Sequence, residues 1–165
     1  MNVIIETGGG LTDSNTYVGT DEAKAFAKAR GWSLPCDNEN IQALMFRAMD
    51  YIETFSHQFT GSRVSETQAL SWPRECAYVA GELIDTDVIP KQLKLAVMYA
   101  MVAYNDGLDP TSNKSGEPFI TRESVDVLRI DYAVDSQYNR DRLPMVDKLI
   151  QQLCNRNSMI DFVKA

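Results

Sequence analysis

His57 is the only histidine in the chain, and no serine or cysteine stands beside it at a spacing that makes a nucleophile–base pair. Its place at the end of an apolar-periodic segment suits another role, a cation at the negative end of a helix dipole. The run Gly8-Gly9-Gly10 lacks the Gly-Lys-Ser/Thr that completes a phosphate-binding loop, and Asp13 stands where a dinucleotide fingerprint needs a small residue. It reads as a hinge. Asp85 and Asp87 alternate as cation ligands can, but the further oxygen donors and closing glutamate of a calcium loop are missing. Cys36, Cys76 and Cys154 are odd in number and far apart, with no Cys-x-x-Cys or Cys/His cluster. They read as small reduced apolar residues. The expectation is no catalytic residue, no cofactor and no metal.

Two further side chains could touch a ligand. Trp72 could stack on a nucleobase, but Pro73 beside it and Leu70 nearby favour a tryptophan buried under a loop. Arg74 has two uses open to it: hydrogen bonds to the carbonyls of that loop, or pairing with an acidic residue. Charge bears on both. The 165 residues carry 16 Lys and Arg against 23 Asp and Glu, a formal net charge of −7, and basic residues go no further than isolated pairs such as Arg140 and Arg142. Affinity for phosphates comes from clustered cations that release counterions. Tight nucleic-acid binding by an isolated subunit is therefore disfavoured, although an acidic channel wall can face a duplex without trapping it.

Hydrophobic periodicity supplies the elements that would position these residues. Thr20 is placed to cap a short helix with Ala23, Phe26 and Ala27 on its apolar face and Gly31 as its stop. From about Asn38 to His57, Ile41, Leu44, Met45, Ala48, Met49, Ile52 and Phe55 recur at three- and four-residue steps, predicting a long amphipathic helix. A loop holds Gln68 to Arg74, where Pro73 pushes Trp72 towards an extended backbone. Pro90 can open a helix that is apolar nearly all round and ends at Asn105-Asp106-Gly107. Phe119 to Glu123 and Val125 to Tyr132 read as two strands, the second bulged or buried on both faces. Pro144 opens a last helix with Met145, Val146, Leu149, Ile150, Leu153 and Cys154 on one face.

The predicted fold is mainly α, a small helical bundle with a β-hairpin and extended terminal arms. Residues 1–19 form a flexible N-terminal arm, 20–154 a single domain that includes a hairpin over 117–133, and 155–165 a C-terminal tail. In the tail Met159, Ile160, Phe162 and Val163 are candidate subunit-interface residues, able to add as a strand or fill a groove on another subunit. The longest apolar run, Leu95 to Tyr104, is far below the roughly 20 residues that span a bilayer. The N-terminus has no basic-then-apolar order of a signal peptide. Synthesis and residence in the cytoplasm, away from membranes, are the expectation.

The order of segments resembles a known family. Ser14-Asn15-Thr16-Tyr17, Gly31-Trp32, Ala43 through Ile52, Gly61 with Arg63, Gln68-Ala69-Leu70-Ser71-Trp72-Pro73-Arg74, Ile89-Pro90 and Thr121 to Val125 together resemble the phage family of DnaT-like single-stranded-DNA-binding proteins. Members of that family are also found as head–tail connector, or adaptor, proteins. The resemblance runs from about Ser14 to Leu153. Its most specific part is Gln-x-Leu-x-Trp-Pro-Arg, matched at Gln68, Leu70, Trp72, Pro73 and Arg74, and departed from at Glu75 and Cys76, where a small residue and glycine are usual. The resemblance implies a structural virion protein of the viral neck, without a catalytic residue. Such subunits form a homo-oligomeric ring, usually a dodecamer, beneath the portal protein. The ring extends the channel through which genomic double-stranded DNA passes and receives the tail or neck completion protein. The alternative is a single-stranded-DNA-binding protein.

Overall fold

The computed structural model describes residues 2–111, 122–125, 128–131 and 142–154. Its four helices, α1 (Thr20–Ala29), α2 (Asn38–Glu53), α3 (Lys91–Asn105) and α4 (Pro144–Gln151), follow the apolar periodicity, and the fold is mainly α with small antiparallel hairpins. Asp37 caps α2: its carboxylate accepts from the backbone N–H of Glu39 and Asn40 at 3.2 and 3.3 Å. Two of the amides that a helix start leaves unpaired are thereby satisfied. Ile41, Met45, Ala48, Met49 and Ile52 form the buried face of α2, which stops at Glu53 and continues to Gln58 as tight turns rather than as helix. Thr20 is the first residue of α1 and not its cap; Gly19 holds the cap position with no side-chain bond. Gly31, at φ +71°, ends that helix in the left-handed conformation glycine adopts without strain.

Pro90 stands one residue before α3, which is buried almost all round through Leu93, Ala96, Val97, Met98, Ala100, Met101, Val102 and Tyr104. The reason is position: α3 packs against α1, α2 and α4 and has little surface left for water. Val146 and Ile150 turn α4 towards this core, whereas Met145, expected on the same face, is 49% exposed. Met145 follows Pro144 in the first turn, one step of about 100° round the helix from Val146.

The long stretch between α2 and α3 is not the plain loop that the sequence suggests. Strands β1 (Ser62–Arg63) and β2 (Arg74–Glu75) pair antiparallel, as do β3 (Tyr78–Val79) and β4 (Glu82–Leu83). Gly61 permits the first pairing: a Cβ there would lie 2.1 Å from the carbonyl oxygen of Glu75. The second pair turns on Ala80 and Gly81, at φ +53° and +94°.

Residues 2–19 also differ from expectation. They do not stand off as an arm: Tyr17 and Val18 are fully buried, and Glu6 N–H donates to Thr16 O at 2.8 Å. The triple glycine wraps the Glu6 carboxylate, which accepts from the N–H groups of Gly8, Gly10 and Leu11 at 2.8, 3.1 and 2.7 Å and from Ser14 Oγ at 3.3 Å. Positive φ at Gly8 and Gly10 aims these amides inward, a small anion nest filled by the chain's own side chain.

The chain divides into two compact units, Met1–Leu108 with Leu143–Ala165, and Asp109–Arg142. Within the second unit, β5 (Arg122–Val125) pairs antiparallel with β6 (Leu128–Asp131), from Arg122 opposite Asp131 to Val125 opposite Leu128. Val125 thus ends the first strand instead of starting the second. Phe119 and Tyr132 lie outside the described residues, as does the tail over 155–165. Among the described residues, no helix is long and apolar enough to cross a membrane.

Two outcomes follow. Burial raises the Glu6 pKa, but hydrogen bonds from Gly8, Leu11, Gly10 and Ser14 outweigh it and hold the carboxyl below its ordinary 4.5. A depressed carboxyl stabilises the fold fully above its unfolded pKa, and that contribution is lost as pH falls through the folded value. Glu6→Gln should lower stability at pH 7 by about 1–2 kcal/mol, and the gap between the two proteins should shrink below pH 4.5, as urea melts across pH will show. Ala80→Asn, placing a residue tolerant of left-handed backbone in the β3–β4 turn, should raise stability by about 0.5 kcal/mol in the same melts.

Candidate functional site

The segment Gln68 to Arg74 runs from the β1–β2 connection into β2, and all of its residues but Ala69 are buried. A glutamine offers one acceptor and two donors on a single planar group. Gln68, buried, uses them on the loop itself: Nε2 donates to Leu70 O at 2.8 Å and Pro73 O at 3.1 Å, while Oε1 accepts from Ser65 N–H at 2.9 Å. Trp72 is fully buried, its ring 6.0 Å from that of Phe59, and its peptide bond to Pro73 is cis. It cannot stack on a base.

Of the two uses open to Arg74, the structure takes the carbonyls. Nε donates to Thr60 O at 2.7 Å, Nη2 to Gly61 O at 2.7 Å and Phe59 O at 3.4 Å, and Nη1 to Ser71 O at 3.2 Å. The guanidinium thus serves the unpaired carbonyls of the turn after α2 and ties them to the loop. Burial, and then the charge of nearby Arg63, pull its pKa down from the ordinary value.

Glu53, the last residue of α2, meets the loop from the other side. Its carboxylate accepts from Ser71 N–H, Ser71 Oγ and the Tyr17 hydroxyl, the last at 2.7 Å. Tyr17 Oη in turn accepts from Trp72 N–H at 3.1 Å. Burial, followed by the negative charge of Glu53 and the bond to it, pushes the Tyr17 hydroxyl well above its usual range. A cleft of about 370 Å³ opens beside this network, lined by Ser14, Asn15, Phe46, Met49, Asp50, Glu53 and Leu70. Its walls combine apolar surface with two carboxylates and hold neither a cation nor a nucleophile–base pair.

The remaining sequence candidates do not converge. His57 is exposed beside Gln58, Asp85 and Asp87 are exposed, and Cys36 and Cys76 are exposed. Cys154 is buried, and burial pushes its thiol up to about 11. Among the described residues, no group of three His, Cys, Asp or Glu side chains is placed to hold a metal ion. Met159, Ile160, Phe162 and Val163 lie outside the described residues.

Sequence reasoning missed a different cluster, at the end of α1. The Arg30 guanidinium lies 3.7 Å over the ring of Phe26 and 5.7 Å from the centroid of Tyr99. Trp32 packs beside the same rings, 6.0 Å from Phe26 and 5.7 Å from Tyr99, yet stays 39% exposed. The signal was there as Arg-Gly-Trp at a helix stop. Such a group can present a flat aromatic surface beside a fixed cation.

The inward network should matter to folding. Trp72→Ala should cost on the order of 3–5 kcal/mol by removing a fully buried indole. Tyr17→Phe should cost about 1–3 kcal/mol, because the buried Trp72 N–H loses its acceptor. Thermal melts check both; unchanged midpoints would contradict this account of the loop.

The family described as "Putative DnaT-like ssDNA binding protein" matches residues 1–164, and the chain belongs to it. No curated protein and no solved structure matches the chain.

Proposed function

We propose, taking membership of the DnaT-like family as the premise, that this protein binds single-stranded DNA and acts through that contact rather than through catalysis. The observation that carries the reading is the family match across residues 1–164. The loop motif spends its polar groups on its own backbone, so on this reading a ligand is met by some other part of the surface. A net charge of −7 limits the strength of such binding. The expected result in fluorescence anisotropy with a labelled oligo-dT at physiological salt is a micromolar affinity that weakens as salt rises and exceeds that for the matching duplex. No detectable binding, or a preference for duplex, overturns the reading.

A second reading is a head–tail connector subunit in the virion neck. The excess of 23 acidic over 16 basic residues favours it, since an acidic bore lets duplex DNA slide. So does the β3–β4 hairpin, whose cross-strand pair Tyr78 and Leu83 is 49% and 62% exposed and offers apolar surface to a neighbouring subunit. On this reading the chain forms a ring, usual number twelve by the resemblance, between portal and the tail or neck completion protein. Negative-stain images of the protein alone and mixed with portal should show rings, and deletion of residues 159–165 should abolish them while leaving the helical signal intact. Particles that stay monomeric and ignore portal would end it.

A further inference from the structure

The net charge hides an uneven distribution. Between Ala23 and Cys36 there is no acidic residue and there are three cations, Lys24, Lys28 and Arg30; between Val88 and Asn105 there is again none, with Lys91 and Lys94. These two stretches are α1 with its following turn, and α3 with its approach, and the two helices pack together. The contact between them is the aromatic group Phe26, Trp32 and Tyr99, with Phe26 and Tyr99 meeting edge-on at 5.2 Å. The fold thus joins the two acid-free stretches around the chain's one exposed tryptophan.

We propose that this surface is the single-stranded-DNA site: a nucleobase stacks on the Trp32 indole, and the adjoining phosphates pair with Arg30 and Lys28. The assignment rests on the single-stranded-DNA reading above and gives it a place. Stacking suits a strand without a partner, because an unpaired base has a free face that a duplex hides. Arg30 is positioned for its part before any ligand arrives. The faces of Phe26 and Tyr99 hold its guanidinium, and Nη1 donates to Phe26 O at 3.2 Å, which leaves the other donors of an exposed group for a phosphate. Among the described residues, neither Arg30 nor Lys28 makes an ion pair with a carboxylate. Lys24 is held by Asn38 at 2.6 Å, and the nearby Asp37 carboxylate is occupied as the cap of α2. The turn that carries Trp32 is itself fixed, by Trp32 N–H on Ala27 O at 3.0 Å and by Asn105 Nδ2 on Ser33 O at 3.1 Å. A ring presented on a fixed turn loses little freedom when a base lands on it.

The two tryptophans make the test direct, since Trp72 is fully buried and only Trp32 can be reached by a base. Addition of oligo-dT to the full-length protein should quench its tryptophan emission, and Trp32→Phe should lose most of that quenching while retaining an aromatic packing group. In anisotropy, Trp32→Ala should weaken oligo-dT binding by about tenfold or more. The surface double variant Lys28→Gln/Arg30→Gln should also weaken it, with a salt dependence shallower by about one to two charges. Thr86→Ala, at an exposed position between β4 and α3, should bind as the parent does. If the parent binds oligo-dT and the variants at Trp32, Lys28 and Arg30 bind equally well, the site is elsewhere and the function stands. If the parent does not bind, the reading beneath this proposal fails and the site with it. Because the lysine–arginine variant alters only exposed side chains, its result decides the matter even if Trp32→Ala does not fold.

Discussion

The carboxylate of Glu53 is where the separate parts of the helical unit are tied together. It sits at the end of α2 and receives hydrogen bonds from Tyr17 in the N-terminal segment and from Ser71 in the loop before β2. Three regions distant in sequence thus share one acceptor. A carboxylate that leaves water needs its lone pairs filled, and filling them from a hydroxyl and a backbone amide does so without a neighbouring cation. Arg74 completes the balance from across the loop by a parallel device. It contacts carbonyls rather than Glu53, so each charge is satisfied by neutral dipoles while the two still attract through the protein. The order of these groups explains why Gln68 and Arg74 accompany Trp72: the indole fills the volume, but the amide and guanidinium absorb the backbone groups that burying a loop would otherwise strand.

The helices were legible because burial imposes a period. Ile41 to Ile52 on α2 and Leu93 to Tyr104 on α3 repeat at the spacing that one packed face requires, and the all-round burial of α3 matches its unbroken apolar run. Their ends were less legible, since a cap is a local competition: Asp37 outdoes its neighbours at α2, whereas Gly19, with no side chain to offer, precedes α1. The four short strands between α2 and α3 left no alternation long enough to read, each being two residues, and two of their turns place Cys76 and Ala80 at positive φ, where sequence rules expect glycine or asparagine. The N-terminal glycines misled for a related reason. A glycine run signals freedom, yet here positive φ is used to point amides at Glu6, and backbone donors leave no mark in a sequence.

The proposed contact surface was harder still to read. The Gln68–Arg74 motif is conspicuous because its residue types are unusual together, but the structure buries Gln68, Leu70, Trp72, Pro73 and Arg74, so conspicuousness marked a folding device. Trp32 enters the sequence reading only within Gly31-Trp32, as part of the resemblance; its interest as a surface comes from Tyr99, a residue 67 positions away that only the α1–α3 contact brings near. Charge was read at the wrong scale as well. A net −7 averaged over the chain conceals two acid-free stretches whose meeting depends on the fold.

That difference of scale bears on how an acidic protein meets a polyanion. At physiological ionic strength exposed charges are screened beyond about 8 Å, so a strand lying on Trp32 and Arg30 responds chiefly to the cations beside it and only weakly to carboxylates elsewhere on the molecule. On the proposed reading the distant acids would act earlier, slowing encounter and discouraging the strand from spreading over the rest of the surface. One indole and a few cations can hold only a short piece of strand, and their affinity alone would be modest. Several copies placed along one strand would convert later contacts into intramolecular ones, raising the overall affinity without any new interaction. An assembly of acidic subunits, each with one small stacking site, would therefore hold unpaired DNA while letting duplex pass, since a duplex has no open base face to offer and its dense charge meets the acidic remainder. As proposals, the single-stranded-DNA and ring readings would then be two consequences of the same charge distribution, separated by whether copies of this chain come together.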